Sequence, residues 1–234
     1  MHYVIGDIHN ESKKLDGILK QIRLTQDDEV IVLGDLFDRG GADADPVGVY
    51  FMLAGLQGKC IWIRGNHDQW LADYIKKYFL LSERRRRKLS PYSYNSFDLM
   101  RQRMTETDML NLADTIGKLP LQKEIEIQGK TYLLAHAMTS FPSVWQPDDY
   151  YMMGNWEIDA FFLEGINGYV SVCGHTPTSN VLWKNQRTYP DGHTGSIWIN
   201  EKQNVFLLDC GCGFAGGRLS CLCLETGERF YSRD

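Results

Sequence analysis

Apolar and polar positions alternate along the first two-thirds of the chain in two different rhythms. Tyr3 to Ile5 is a short apolar run that predicts a strand, and a polar-apolar segment from Glu11 to Gln21 follows it. In and just beyond that segment Leu15, Ile18, Leu19 and Ile22 recur at helical spacing. The pair of rhythms repeats: strand-like Glu29 to Leu33, then a helix around Pro46 to Leu56; strand-like Cys60 to Ile63, then a helix from about Asp68 to Tyr78. Strands alternating with helices predict βαβ units and a largely parallel sheet.

From about residue 81 to 119 the rhythm breaks. This stretch reads as all-helical, with Pro91 punctuating it, and is expected to be an insertion or cap within a single domain spanning 1–234. Its Arg84-Arg85-Arg86-Arg87-Lys88 run could attract anionic substrates, although a solvated helix face accounts for it as well. The last third reads as strand-rich. Glu124 to Ile127 and Lys130 to Ala135 flank a Gln128-Gly129 turn. Tyr169 to Cys173, Ser196 to Asn200, Asn204 to Asp209 and Arg218 to Leu224 follow, with a terminal pair around Thr226-Gly227. A parallel half leading into a more antiparallel half predicts two packed sheets with helices outside.

Composition changes this picture only at its edges. A 43% hydrophobic content over 234 residues is enough for a sizeable core, and the net charge of −5 argues against a nucleic-acid polymer as partner. No apolar run approaches a membrane span, and MHYVIGDIHN has no basic, then long apolar, leader, so a cytoplasmic location is expected. Of the six cysteines, Cys210 and Cys212, then Cys221 and Cys223, form two CxC pairs. Four converging thiolates would make a zinc site, but Leu- and Phe-rich surroundings favour each pair as small buried residues on one face of a hairpin strand.

Five short polar clusters carry the chemistry. They are Gly6-Asp7-Ile8-His9, Gly34-Asp35-Leu36-Phe37-Asp38-Arg39-Gly40, Arg64-Gly65-Asn66-His67-Asp68, His136 and Gly174-His175-Thr176, and each follows an apolar, strand-like run. In open α/β sheets, sites form beyond the carboxyl ends of strands. Carboxylate, amide and imidazole gathered at one such edge suit Mn, Fe, Zn or Ni, with no cysteine nearby to favour a softer ion.

In this order the motifs GDIHN, GDLFDRG, RGNHD, the later His136 and GHT resemble the calcineurin-like metallophosphoesterases, and within them the bacterial and phage-type phosphoprotein phosphatases. The tail, LLDCGCGF and GGRLSCLCLE, is also similar to the closing hairpin of bacterial members. The resemblance implies a four-layer α/β/β/α sandwich of two mixed sheets. It implies that Asp7 and His9 bind a first divalent metal ion, that Asp35 bridges two, and that Asn66, His136 and His175 complete the second. Arg39 and Arg64 then grip phosphate oxygens, His67 is the general acid, and Asp38 orients it. A hydroxide shared by two cations about 3.5–4 Å apart would be the nucleophile. The implied activity is hydrolysis of phosphoserine or phosphothreonine in proteins.

Two departures bear on this. Asn10 stands where the family has glycine, and asparagine tolerates the left-handed backbone such a turn needs. No arginine lies between His136 and His175, where the family supplies a further phosphate contact; Asn155 or the Arg84–Arg87 run are the alternatives. Dinucleoside polyphosphate hydrolases share most of the motif set and are the second reading, although the Asp38-Arg39 pair favours the phosphoprotein type. A scaffold without turnover would be expected to lack ligands, and none is lacking. Asp68 reads equally as a loop-positioning group or a helix N-terminal acid. Asp209 and Trp145 read as structural, and His2 and His193 as surface residues.

Overall fold

The computed structural model describes residues 1–56, 59–185 and 195–233. Along the chain the elements are β1 (His2–Ile5), α1 (Ser12–Ile22), β2 (Glu29–Val32), α2 (Pro46–Ala54), β3 (Cys60–Trp62), α3 (Asn66–Leu80), α4 (Glu83–Arg86), α5 (Ser96–Arg101) and α6 (Glu106–Ile116). They continue with β4 (Gln122–Ile127), β5 (Lys130–Ala135), α7 (Asp148–Met153), α8 (Ile158–Glu164), β6 (Val170–Cys173), α9 (Thr178–Asn185), β7 (Trp198–Ile199), β8 (Val205–Leu207), β9 (Ser220–Cys223) and β10 (Arg229–Tyr231).

Strand alternation builds the layers. The first five-stranded sheet has the order β10-β9-β1-β2-β3, and the second β4-β5-β6-β8-β7. In β1 and β2, Tyr3, Ile5, Val30 and Val32 point to a core shared with α1, α2, α3, α5 and α6. Their neighbours Val4 and Ile31 point the other way, into a core between the sheets with Tyr132, Leu134, Val172 and Leu222. The outer face of the second sheet, with Leu133, Cys173, Val205 and Leu207, is covered by Phe161 and Phe162 of α8. The central strands thus bury both faces, the period-two signature of a sheet inside four layers, α/β/β/α.

The expected parallel half is present: β1 pairs parallel with β2, and β2 with β3. The second sheet is mixed, antiparallel at β4–β5 and β7–β8 and parallel at β5–β6 and β6–β8. Gln128 and Gly129 have φ of 51° and 74°, so the β4–β5 hairpin closes with both turn residues in the left-handed region its twist requires. No described helix is long and apolar enough to cross a membrane.

Several expectations are corrected. The last third contains three helices, α7, α8 and α9, besides its strands. The 81–119 stretch is helical only in pieces, and a non-helical run separates α4 from α5. In the basic run Arg84, Arg85, Arg87 and Lys88 are exposed, as a solvated face would be, but Arg86 turns inward: its Nε and Nη2 donate 2.9 Å bonds to the carbonyls of Tyr78 and Phe79, satisfying the C-terminal end of α3. Cys210 and Cys212 do not share a face, since Cys210 lies between the sheets and Cys212 on the helix-covered side. All six cysteines are free. Trp145 is exposed rather than part of a core. His2 is only half exposed, with its Nδ1 2.6 Å from a Glu225 carboxylate oxygen, and His193 lies outside the described residues.

Because the inter-sheet layer joins the two halves, truncating it should be costly. Leu134→Ala, fully buried there, is expected to lower unfolding free energy in urea by about 2–5 kcal/mol. Leu80→Ala, on the solvent side at 84% exposure, should change it by less than about 0.5 kcal/mol.

Candidate metal centre

The C-terminal ends of β1, β2, β3, β5 and β6 deliver the five polar clusters to one edge of the sandwich. Their loops are tied to one another by backbone bonds: the amides of Ile8 and His9 both reach the Asp35 carbonyl at 3.0 Å, and Asn10 N reaches Leu36 O at 3.0 Å. His9, Asn10, Asp35, Asp38, Arg39 and His175 all have φ between 47° and 67°. Left-handed backbone is unfavourable for such residues and persists only where the surroundings impose it. Gly174 follows from the same crowding, since a Cβ there would collide with Asp7 Oδ1.

Two donor sets result. Asp7, His9 and Asp35 form one, and Asp35, His136 and His175 the other, with Asp35 common to both. The imidazoles are aimed from behind. His9 Nδ1 donates to Phe37 O at 3.0 Å and His136 Nδ1 to Leu33 O at 2.8 Å, which turns each Nε2 toward the carboxylates. Asn66 Oδ1 is 2.9 Å from His136 Nε2 and 3.0 Å from His175 Nδ1, so it joins the second set. Turned over, the Asn66 amide would instead donate to both imidazoles and to Met152 O. That arrangement suits bare imidazoles, whereas a cation favours the oxygen facing inward.

Charge makes the case for a cation. Asp7, Asp35, Asp68 and Asp209 are all buried here, at 2%, 2%, 0% and 1% exposure. Burial, with the Asp209 charge beside it, pushes Asp7 well above the usual carboxylate range. Burial raises Asp209 to about 6, and burial with the Asp35 charge raises Asp68 to about 7. Asp35 goes the other way despite its burial, because His136 at 3.3 Å holds it ionised. Burial lowers His9 and His175 to about 4. For His136, burial opposes protonation but Asp35 outweighs it, and the result is about 10. A crowd of buried acids balanced mainly by one imidazolium is the environment in which hard or borderline divalent ions replace protons.

The remaining predicted residues surround this centre. His67 Nδ1 lies 3.0 Å from Asp38 Oδ2, joining residues separated by 29 positions. Arg39 packs its guanidinium over Phe214, 4.6 Å from the ring centroid, with Nη1 3.1 Å from His9 Nε2. Arg64 donates to Gln69 Oε1 at 2.9 Å and to Asp148 Oδ2 at 3.3 Å. Of the alternatives for the absent arginine, Asn155 Oδ1 accepts from Glu157 N at 2.9 Å, Arg86 is taken up by the end of α3, and Arg87 pairs with Glu83 on an exposed face.

Other groups had no clear signal in the sequence. Asp68 accepts from the amides of Asp35, Leu36 and Gly65 at 3.0, 2.9 and 3.0 Å, so it fastens two ligand loops rather than merely facing a helix end. Asp209, read as structural, is a charged neighbour of Asp7 whose Oδ2 has no partner among the described residues. Asn10 donates through Nδ2 to Arg39 O, Asn95 Oδ1 and Ser96 Oγ at 3.2, 3.1 and 3.0 Å. Tyr92 donates to Asp38 Oδ2 at 2.6 Å from 54 positions away, a distance no motif spacing encodes.

A divalent ion entering the second set must displace the His136 proton, which the metal-free protein holds below about pH 10. Metal affinity should therefore rise by about tenfold per pH unit from about pH 7 to about pH 9, and level off once the imidazole is already bare. Calorimetry in buffers of different ionisation enthalpy is expected to register release of at least about one proton at neutral pH. No release would exclude His136 as the displaced acid.

Comparison with known proteins identifies the fold and the family. An uncharacterized protein of Methanocaldococcus jannaschii is 25% identical over 213 residues, covering 87% of this chain and 72% of its own. A structure provisionally assigned as a diadenosine tetraphosphatase superposes with a TM-score of 0.64 at 19% identity, over 98% of this chain and 91% of that one. A Saccharomyces cerevisiae protein serine/threonine phosphatase with similarity to human phosphatase PP5 gives 0.61 at 16% identity, over 100% and 79%. At these identities the two structures establish the shared fold. The sequence profile of the calcineurin-like phosphoesterases matches residues 3–208, and the chain belongs to that family.

Proposed function

We propose that the chain is a two-metal phosphomonoesterase acting on phosphoserine or phosphothreonine in proteins. The observation that carries this reading is the convergence of Asp7, His9, Asp35, Asn66, His136 and His175 on one edge, with the His67–Asp38 pair beside them. Asp7 and His9 would hold one ion, Asn66, His136 and His175 the other, and Asp35 would serve both; manganese is the first ion to test. Bound there, the pair supplies Lewis-acid polarisation of the phosphoryl group and an acidified water molecule.

The chain's own residues do the rest. Arg39 and Arg64 are forks suited to non-bridging phosphate oxygens, once they exchange their present partners for substrate. Seryl and threonyl alkoxides leave poorly without a proton, so an acid is needed on the leaving side. His67 fits that task because Asp38 engages its Nδ1 and Nε2 is left to face the leaving oxygen. By accepting from Nδ1–H, Asp38 would fix the ring's orientation and favour the doubly protonated form, whose second proton, on Nε2, is the one passed to the leaving oxygen.

A second reading, dinucleoside polyphosphate hydrolysis, has two observations in its favour. Phe214, 48% exposed, lies against Arg39 and offers a face on which a base could stack beside a phosphate-binding group. The single late arginine of the protein phosphatases is also absent here.

The deciding experiment measures phosphate release from a phosphothreonine peptide and hydrolysis of diadenosine tetraphosphate by the Mn²⁺-loaded protein. The peptide is expected to turn over faster, and His67→Asn to reduce that kcat by about 10²–10⁴-fold. Asp35→Ala should abolish turnover of both substrates. Full activity in Asp35→Ala would remove the site assignment, and preference for the dinucleotide would move the function to nucleotide hydrolysis.

A further inference from the structure

Between α4 and α5 the chain leaves helical geometry and runs across the acid side of the centre. Tyr74 OH donates to Ser90 O at 3.0 Å and fastens this run to α3. Ser96 Oγ accepts from Asp38 N at 2.6 Å, and Asn95 Nδ2 donates to Arg39 O at 2.7 Å. The same short stretch therefore holds the backbone of both Asp38 and Arg39.

Tyr92 acts on the side chain. Its hydroxyl donates at 2.6 Å to Asp38 Oδ2, the oxygen that also lies 3.0 Å from His67 Nδ1. The phenol is the donor and the carboxylate oxygen the acceptor. Burial, and then the Asp38 charge, push the Tyr92 phenol far above its ordinary value, so it stays a donor at any working pH. The other carboxylate oxygen, Oδ1, is buried without a partner among the described residues. Only the Oδ2 side of Asp38 is thus fixed, by one phenol and one imidazole.

The His67 ring is walled on its remaining sides. Tyr94, Trp70 and His9 stand against it with centroids at 4.5, 4.8 and 5.1 Å. These contacts confine the ring without choosing which nitrogen carries the proton. That choice rests with Asp38, and the rotation of Asp38 rests with Tyr92.

We propose that Tyr92 is a positioning residue of the acid limb: its hydroxyl holds the Asp38 carboxylate in the rotation that makes His67 present Nε2 to the leaving oxygen. The inference rests on the phosphomonoesterase reading above and deepens it. A residue acting only through the acid must matter where the leaving group needs a proton and not where it does not. p-Nitrophenolate leaves unaided, whereas a threonyl alkoxide does not.

The test is Tyr92→Phe, which keeps the ring and deletes one oxygen, in the Mn²⁺-loaded protein. kcat on a phosphothreonine peptide is expected to fall about tenfold, the loss of one hydrogen bond to a charged group. kcat on p-nitrophenyl phosphate should stay within about twofold, with KM unchanged on both. A second measurement is independent of turnover: ¹⁵N-histidine spectra of the metal-free protein should show the His67 signals moving toward a mixture of tautomers in Tyr92→Phe. Equal loss on both substrates, no loss on either, or unchanged His67 signals would each overturn the inference while leaving the phosphoesterase reading intact. A wild-type protein silent on both substrates with every divalent metal tried would overturn that reading and this inference with it.

Discussion

Burying Asp7, Asp35, Asp68 and Asp209 at one edge of the sandwich is the constraint from which most of the local structure follows. Ionised carboxylates leave water only when paired, hydrogen-bonded or metal-bound. Asp68 is answered by three backbone amides and Asp209 by the amide of Gly211 at 2.8 Å. Asp7 takes both of its contacts from the single amide of His175, at 3.1 Å. Asp35 has the His67 amide at 3.0 Å and the His136 ring. These donors fall short of the charge present, and the imidazolium of His136 supplies part of the difference. A centre built this way has the excess of buried acid that suits the divalent ions its family uses.

Supplying those amides bends the chain. For an amide to point at a carboxylate at a strand end, the strand must stop abruptly, and six residues at the edge take left-handed backbone to do so. Five of them are Asn, Asp or His, the side chains that bear that conformation best, and the sixth is Arg39. The unfavourable backbone is held by ties between loops, through the Asp35 and Leu36 carbonyls and through Asp68. Fold and chemistry are therefore coupled at the level of single hydrogen bonds. The sheets bring strand ends together, and buried acids lock the loops that emerge from them.

How far this could be read in the sequence follows from the range of each interaction. The strand ends were legible because apolar runs of alternating burial stop at Gly-Asp, Gly-Asn or Gly-His, and the six candidate donors were named from that pattern with the family resemblance. The layers were legible because Tyr3 and Ile5 face one core and Val4 the other. The helices α7, α8 and α9 were not, being only six to eight residues long, too short to display a period. Tyr92 was hidden for a different reason. Its partner lies 54 positions away, and the run holding it is set by packing on α3 rather than by any propensity of its own. Cys210 and Cys212 part company because residues 208–210 have already left the strand, so simple alternation no longer assigns their faces.

The missing arginine gives the arrangement its remaining consequence. With guanidinium groups only at Arg39 and Arg64 among the motif positions, the proposed reading would have a phosphate met from one side by the ions and from fewer directions by the chain. Both arginines are engaged before substrate arrives, Arg39 at His9 and Phe214, Arg64 at Gln69 and Asp148. On the proposed reading, freeing them would cost part of the binding energy, and a cation held by His9 Nε2 would take the first of those partners away. Ion binding and release of Arg39 would then be coupled, because both draw on the same imidazole nitrogen.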